Sequence, residues 1–172
     1  GVDGERSFGI LTRLPGVLAK YPNAQFYLVL YGTNDPFSAF PVPSGLGLNP
    51  GDSGYPGSFK DNMQRIIDLV KNQGKTPILA LIPYTPLSLK SNYINYNRVI
   101  TGYNNGSIND PGLIATNGIT VVPPDFFTHF ETNPHQLNSD GLHPLGVGYR
   151  AMGDLWCGAL IGLPFPSTCS TP

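Results

Sequence analysis

Asp140-Gly141-Leu142-His143-Pro144 sets a carboxylate and an imidazole three positions apart in a turn bounded by glycine and proline. So short a loop can hold the carboxylate beside Nδ1 of the ring. That fixes the tautomer and leaves Nε2 to take a proton from a hydroxyl nucleophile. Aspartate and histidine are also ordinary turn residues, so the run gains its weight from a second one. Gly32-Thr33-Asn34-Asp35 closes the apolar stretch 26–31, FYLVLY. An asparagine just past a buried strand can present its side-chain NH2 to an oxyanion as charge develops there. The bland alternatives are a surface histidine at a helix start and an asparagine bonding its own backbone.

Together these runs resemble the third and fifth sequence blocks of the SGNH (GDSL-type) hydrolases, which read G-x-N-D and D-x-x-H. The opening Gly1-Val2-Asp3-Gly4-Glu5-Arg6-Ser7 resembles the second block, in which a glycine gives a backbone N–H to the oxyanion hole; that position falls on Gly4. The resemblance runs to about Leu160 with the blocks in family order. It implies a flavodoxin-like three-layer α/β/α sandwich on a parallel sheet, and an esterase or lipase acting on carboxylic esters. His143 would be the base, Asp140 its orienter, and Asn34 and Gly4 the oxyanion donors, with no metal or organic cofactor. The first block, a strand followed by G-D-S, carries the family's nucleophile and does not precede the second block here. The expectation is therefore a serine supplied by an N-terminal complementing segment or a second chain, with residues 1–172 alone inactive and not a stable monomer. The rival reading is a non-catalytic binding or structural subunit derived from such a hydrolase.

Gly51-Asp52-Ser53 has the letters of the nucleophile block but follows no apolar strand and lies in a Gly/Pro-rich stretch. A nucleophile needs a rigid perch, so Ser53 is set aside, and Ser7 has no better claim. Asp35 reads as a structural carboxylate holding its loop through backbone N–H groups. Asp125, His129, His135 and His143 match no common metal-ligand spacing.

The elements that must position these groups follow a regular alternation. Helical spacing of apolar residues covers 8–20, with Pro15 as a flaw or kink, and 59–73, stopped by Gly74. A weaker helix spans 93–103 and an amphipathic one 146–160. Strands are expected at 26–31, 77–82 and 118–122, the last two ending at prolines. Helix–strand alternation implies parallel strands with helical crossovers, and ligands then bind beyond the strands' carboxyl ends, where both motifs fall. The stretch 37–58, rich in Gly, Pro and Ser, is too long for an ordinary connection and reads as a lid or substrate wall. Its Phe37, Phe40 and Tyr55 are candidates to line an apolar acyl or sugar cleft.

A length of 172 residues suits one domain. A net charge of −1 with 12% charged residues leaves no electrostatic footprint for nucleic acid or an anionic membrane surface. No stretch resembles a membrane span or signal peptide. Low charge, polar-aromatic loops and a Pro-rich tail fit an exported protein, extracellular or periplasmic. Cys157 and Cys169 would then form a disulfide pinning the tail to the last helix, the alternative being two unpaired thiols. Asn105-Gly106-Ser107 is a glycosylation sequon, meaningful only in a secreting eukaryote. The substrate is expected to be a small-molecule ester, with carbohydrate esters preferred.

Overall fold

The computed structural model describes residues 2–37 and 39–161. Its centre is one crossover unit. Strand β1 (Phe26–Val29) pairs in parallel with β2 (Thr76–Leu79), Phe26 opposite Thr76 and Val29 opposite Leu79. Helix α1 (Gly9–Lys20) precedes them and α2 (Phe59–Lys71) connects them. The α1 helix runs on through Pro15, whose ring only withholds one intrahelical hydrogen bond, and buries Ile10, Leu14 and Leu18.

Helix α2 starts where the sequence places it and ends at Lys71, two residues before the expected Gln73. Ser58 caps its start, its hydroxyl accepting from Asp61 N–H at 3.2 Å, and Phe59, Met63, Ile66, Ile67 and Val70 recur on one buried face. Gly74 N–H donates to Lys71 and Lys75 N–H to Val70, the paired bonds of a Schellman ending. The final helix α6 (Gly146–Leu160) has its expected bounds. Between them lie α3 (Lys90–Thr101), the hairpin β3–β4 (Tyr103–Asn104, Asn109–Asp110), α4 (Gly112–Thr116) and α5 (Phe126–Thr132). The sequence reading ran α3 on to Tyr103 and missed the hairpin, α4 and α5.

Residues 118–122 do not form the expected third strand. A single bond, Leu81 N–H to Pro124 C=O at 3.0 Å, joins this segment to the chain beyond β2. A cavity of about 190 Å³ separates Ile119, Thr120 and Val121 from Thr76 and Pro77. On that side of β2, Pro77 has no N–H to give a ladder. The structure is thus mixed α/β with a short two-stranded parallel sheet and six α-helices among the described residues.

Successive strand residues feed two apolar clusters, as a pleated strand requires. Val29 and Leu79 join α1, α2 and α3, whereas Leu30 and Ala80 meet Phe126, Phe130, Leu155 and Trp156. Among the described residues β2 is the strand that pairs with β1, and Leu28 of β1 is 48% exposed. A trough of about 330 Å³ runs along β1, walled by Ile10, Leu14 and Val17 of α1 and by Trp156 of α6. No helix among the described residues is long and apolar enough to cross a membrane. Cys169 belongs to 162–172, so the expected Cys157–Cys169 bond lies outside the described residues.

The long connection 37–58 is drawn down onto the helices. Lys60 Nζ donates to Asp110 Oδ2 and to Leu48 C=O, both at 2.7 Å, and Gly47 N–H reaches the same carboxylate at 2.8 Å. Lys60 and Asp110 are both buried. Asp110→Ala would strand a buried ammonium and release this connection. It should cost about 3–5 kcal/mol in urea unfolding, far more than Lys90→Ala in the exposed Lys90–Glu131 pair.

Candidate active site

The histidine turn is a closed clasp. Asn138 N–H donates to His143 C=O at 2.7 Å, and Leu145 N–H to Gln136 C=O at 2.8 Å. Gly141 between them has φ +66°, and a Cβ there would stand 2.9 Å from Pro86 Cγ. Its carbonyl accepts from the buried Thr85 hydroxyl at 2.8 Å, so the clasp is tied to the chain leaving β2.

Asp140 holds the ring as its spacing suggests. Oδ1 accepts from Leu142 N–H at 2.8 Å and His143 N–H at 3.0 Å, while Oδ2 sits 2.7 Å from His143 Nδ1. Four lone-pair sites facing three donors favour the ionised form. The His143 backbone N–H, then its ring, then Leu142 N–H hold the Asp140 carboxyl down to about 2. An ionised Asp140 makes Nδ1 the protonated nitrogen, and Nε2 keeps its lone pair.

Asn34 stands in the turn beyond β1. Tyr93 hydroxyl donates to Thr33 C=O at 2.9 Å, and Asp35 N–H to Gly32 C=O at 3.2 Å. Gly32 has φ +115° and a Cβ there would lie 2.2 Å from Ile82 Cδ1, so this tight turn requires glycine. Asn34 Nδ2 donates to Glu5 C=O at 3.2 Å. Gly4 sits in the adjoining turn, closed by Glu5 N–H on Val2 C=O at 3.2 Å.

One cleft of about 290 Å³ takes its walls from Gly4, Asn34 and His143, with Leu30, Pro83, Leu142, Tyr149 and Met152 adding apolar surface. Three sequence-distant motifs therefore meet. Asp140 lies behind His143, and both are open to solvent, their side chains 45% and 66% exposed.

Other candidates fall elsewhere. Ser7 is buried, its N–H and hydroxyl both spent on Asp35, while its oxygen accepts from Asn62 Nδ2 at 3.0 Å. Burial raises the Asp35 carboxyl above its ordinary range, against the opposing Ser7 hydrogen bonds. Ser53 is exposed in a turn closed by Asp52 and does not line the cleft. Neither do Phe37, Phe40 and Tyr55, contrary to expectation: Tyr55 is buried in the long connection and Phe40 is 86% exposed. His129 Nε2 lies 2.9 Å from Gln136 Oε1 and Asp125 caps α5. No group of three His, Cys, Asp or Glu residues suited to a metal occurs among the described residues.

Sequence reasoning missed Thr85 and the Glu5 side chain. Thr85 had a usable signal, for it follows β2 as Asn34 follows β1.

Because backbone N–H groups contribute most to Asp140, its carboxyl should titrate near 2 and stay below 3.8 in His143→Ala. Its bonds with the turn favour the folded state above pH 3.8 and are lost as pH falls from 3.8 toward about 2. Carbon NMR of the Asp140 carboxyl checks this; a midpoint at or above 3.8 in His143→Ala would contradict it. No protein-family model matches the chain and no curated protein matches it, so the chemistry of the cleft is read from its own atoms.

Proposed function

We infer that this chain carries the base, orienter and oxyanion donors of an SGNH-type ester hydrolase, and that the attacking serine comes from a polypeptide segment laid along β1. The carrying observation is the Asp140–His143 pair opening on the same cleft as Asn34 and Gly4. Among the described residues that line the cleft, only Thr33 and Tyr149 bear hydroxyls, and neither bonds His143.

The trough beside α1 and the exposed Leu28 support the second half of the reading. The trough beside α1 meets a further cavity of about 180 Å³ at Leu30 and Tyr31, and that cavity reaches Thr33 and Asn34. A parallel strand added there would end where β1 ends, delivering a following serine to the cleft. The same addition would cover Leu28 and extend the two-sided cluster arrangement toward a flavodoxin-like three-layer sandwich.

In the reaction, the serine hydroxyl attacks the ester carbonyl as His143 Nε2 takes its proton. Asp140 steadies the resulting imidazolium. Asn34 Nδ2 and Gly4 N–H bond the oxyanion. Collapse expels the alcohol, protonated by His143, and leaves an acyl-serine; water, deprotonated by His143, then releases the acid and restores the serine. No cofactor enters. The apolar cleft walls and low surface charge suit an uncharged ester, small or carbohydrate-borne, in an exported enzyme.

The test is labelling of the natural protein by a fluorophosphonate, with the modified residue mapped by mass. The label should fall on a serine outside residues 2–161 and vanish in His143→Ala. Asn34→Ala should lower kcat about 10²–10³-fold with a smaller change in KM, and Asp140→Asn should lower it by about 10⁴-fold. Ser53→Ala should leave turnover unchanged. A label on Ser53 would overturn the docked-serine reading, and no label at all would favour the non-catalytic subunit.

A further inference from the structure

We propose that Glu5 is the positioning residue of the oxyanion hole, a side chain that fixes both donors from outside the cleft. This rests on the ester-hydrolase reading for its kinetic consequence, though not for its geometry.

The Glu5 carboxylate is only 11% exposed and is gripped from two elements. Arg13 of α1 donates through Nε at 3.1 Å and Nη2 at 2.5 Å, a two-pronged bond. Tyr31, just past β1, donates its hydroxyl to the same Oε2 at 2.6 Å. The Arg13 bond, with Tyr31 adding to it, holds the Glu5 carboxyl below its usual range despite burial. The stem is wedged as well, since a Cβ on Gly9 would lie 3.2 Å from Glu5 Cγ.

What this grip holds is the backbone of the Val2–Glu5 turn. Its Gly4 lines the cleft, and its Glu5 carbonyl takes the Asn34 amide at 3.2 Å. A carbonyl can only accept, so it decides which end of the Asn34 amide faces it. One Nδ2 hydrogen is then spent on Glu5 and the other is left for an oxyanion. Glu5 thus sets the direction of the Asn34 donor and the place of the Gly4 donor together. Its own negative charge would oppose an oxyanion nearby, and the Arg13 guanidinium neutralises it.

The experiment compares Glu5→Ala, Glu5→Gln and Tyr31→Phe in the complete natural protein, by ester kinetics and by the Asn34 side-chain amide signal in ¹⁵N NMR. Glu5→Ala should lower kcat at least about tenfold with KM within about twofold, as loss of transition-state donors does. Glu5→Gln keeps an acceptor for Tyr31 and should recover part of the loss; Tyr31→Phe, the mildest change, should lose less than Glu5→Ala while staying folded. In the Asn34→Ala background, Glu5→Ala should cost less than it does alone. The Asn34 amide signal should shift or broaden in each Glu5 variant. Unchanged kcat in Glu5→Ala and Tyr31→Phe, or losses that multiply in full with Asn34→Ala, would overturn the proposal. If the natural protein proves inactive, the ester-hydrolase reading fails and the amide signal alone decides: movement supports the positioning role, an unmoved signal refutes it.

Discussion

The parallel pairing of β1 with β2, Phe26 on Thr76 through Val29 on Leu79, is the constraint on which the rest depends. Parallel strands send their carboxyl ends to one edge, so the chain beyond β1 and the chain beyond β2 must emerge side by side. Beyond β1 comes Asn34. Beyond β2 comes Thr85, whose hydroxyl holds the Gly141 carbonyl and through it the Asp140–His143 turn. His143 and Asn34, more than a hundred residues apart in sequence, meet on one cleft because two short strands run the same way.

Among the described residues the ladder has two strands, and Leu28, Val147 and Tyr149 remain largely in solvent. Burying one large apolar side chain contributes about 1.5–3 kcal/mol, so covering a few such residues would be comparable with a domain's whole stability. The exposed Asp140–His143 pair fits the same picture. Its electrostatics strengthen when water is excluded, as a substrate filling the cleft would exclude it.

Legibility in the sequence followed the range of the interactions. The Asp140–His143 turn, the Asn34 turn, α2 and α6 were readable because their causes lie within a few residues: a cap at Ser58, an apolar stripe, a glycine that alone fits. Segment 118–122 has the composition of a strand, but pairing also depends on its neighbour, and Pro77 of β2 lacks a donor there. The hairpin at Asp110 and the fastening of 37–58 escaped notice because Lys60 and Asp110 are 50 positions apart. Glu5 was invisible for the same reason: its partners Arg13 and Tyr31 lie 8 and 26 positions away, and only folding brings them to one carboxylate.

The central claim is that Asn34, Gly4 and His143 serve one reacting centre. Its most direct test is a crystal structure of the complete protein after reaction with a fluorophosphonate, whose phosphonyl oxygen stands where the oxyanion would form. The account predicts that oxygen at about 2.7–3.1 Å from both Asn34 Nδ2 and Gly4 N, with the modified serine oxygen beside His143 Nε2. An adduct whose phosphonyl oxygen touches neither donor, or which forms away from the His143 cleft, would contradict it.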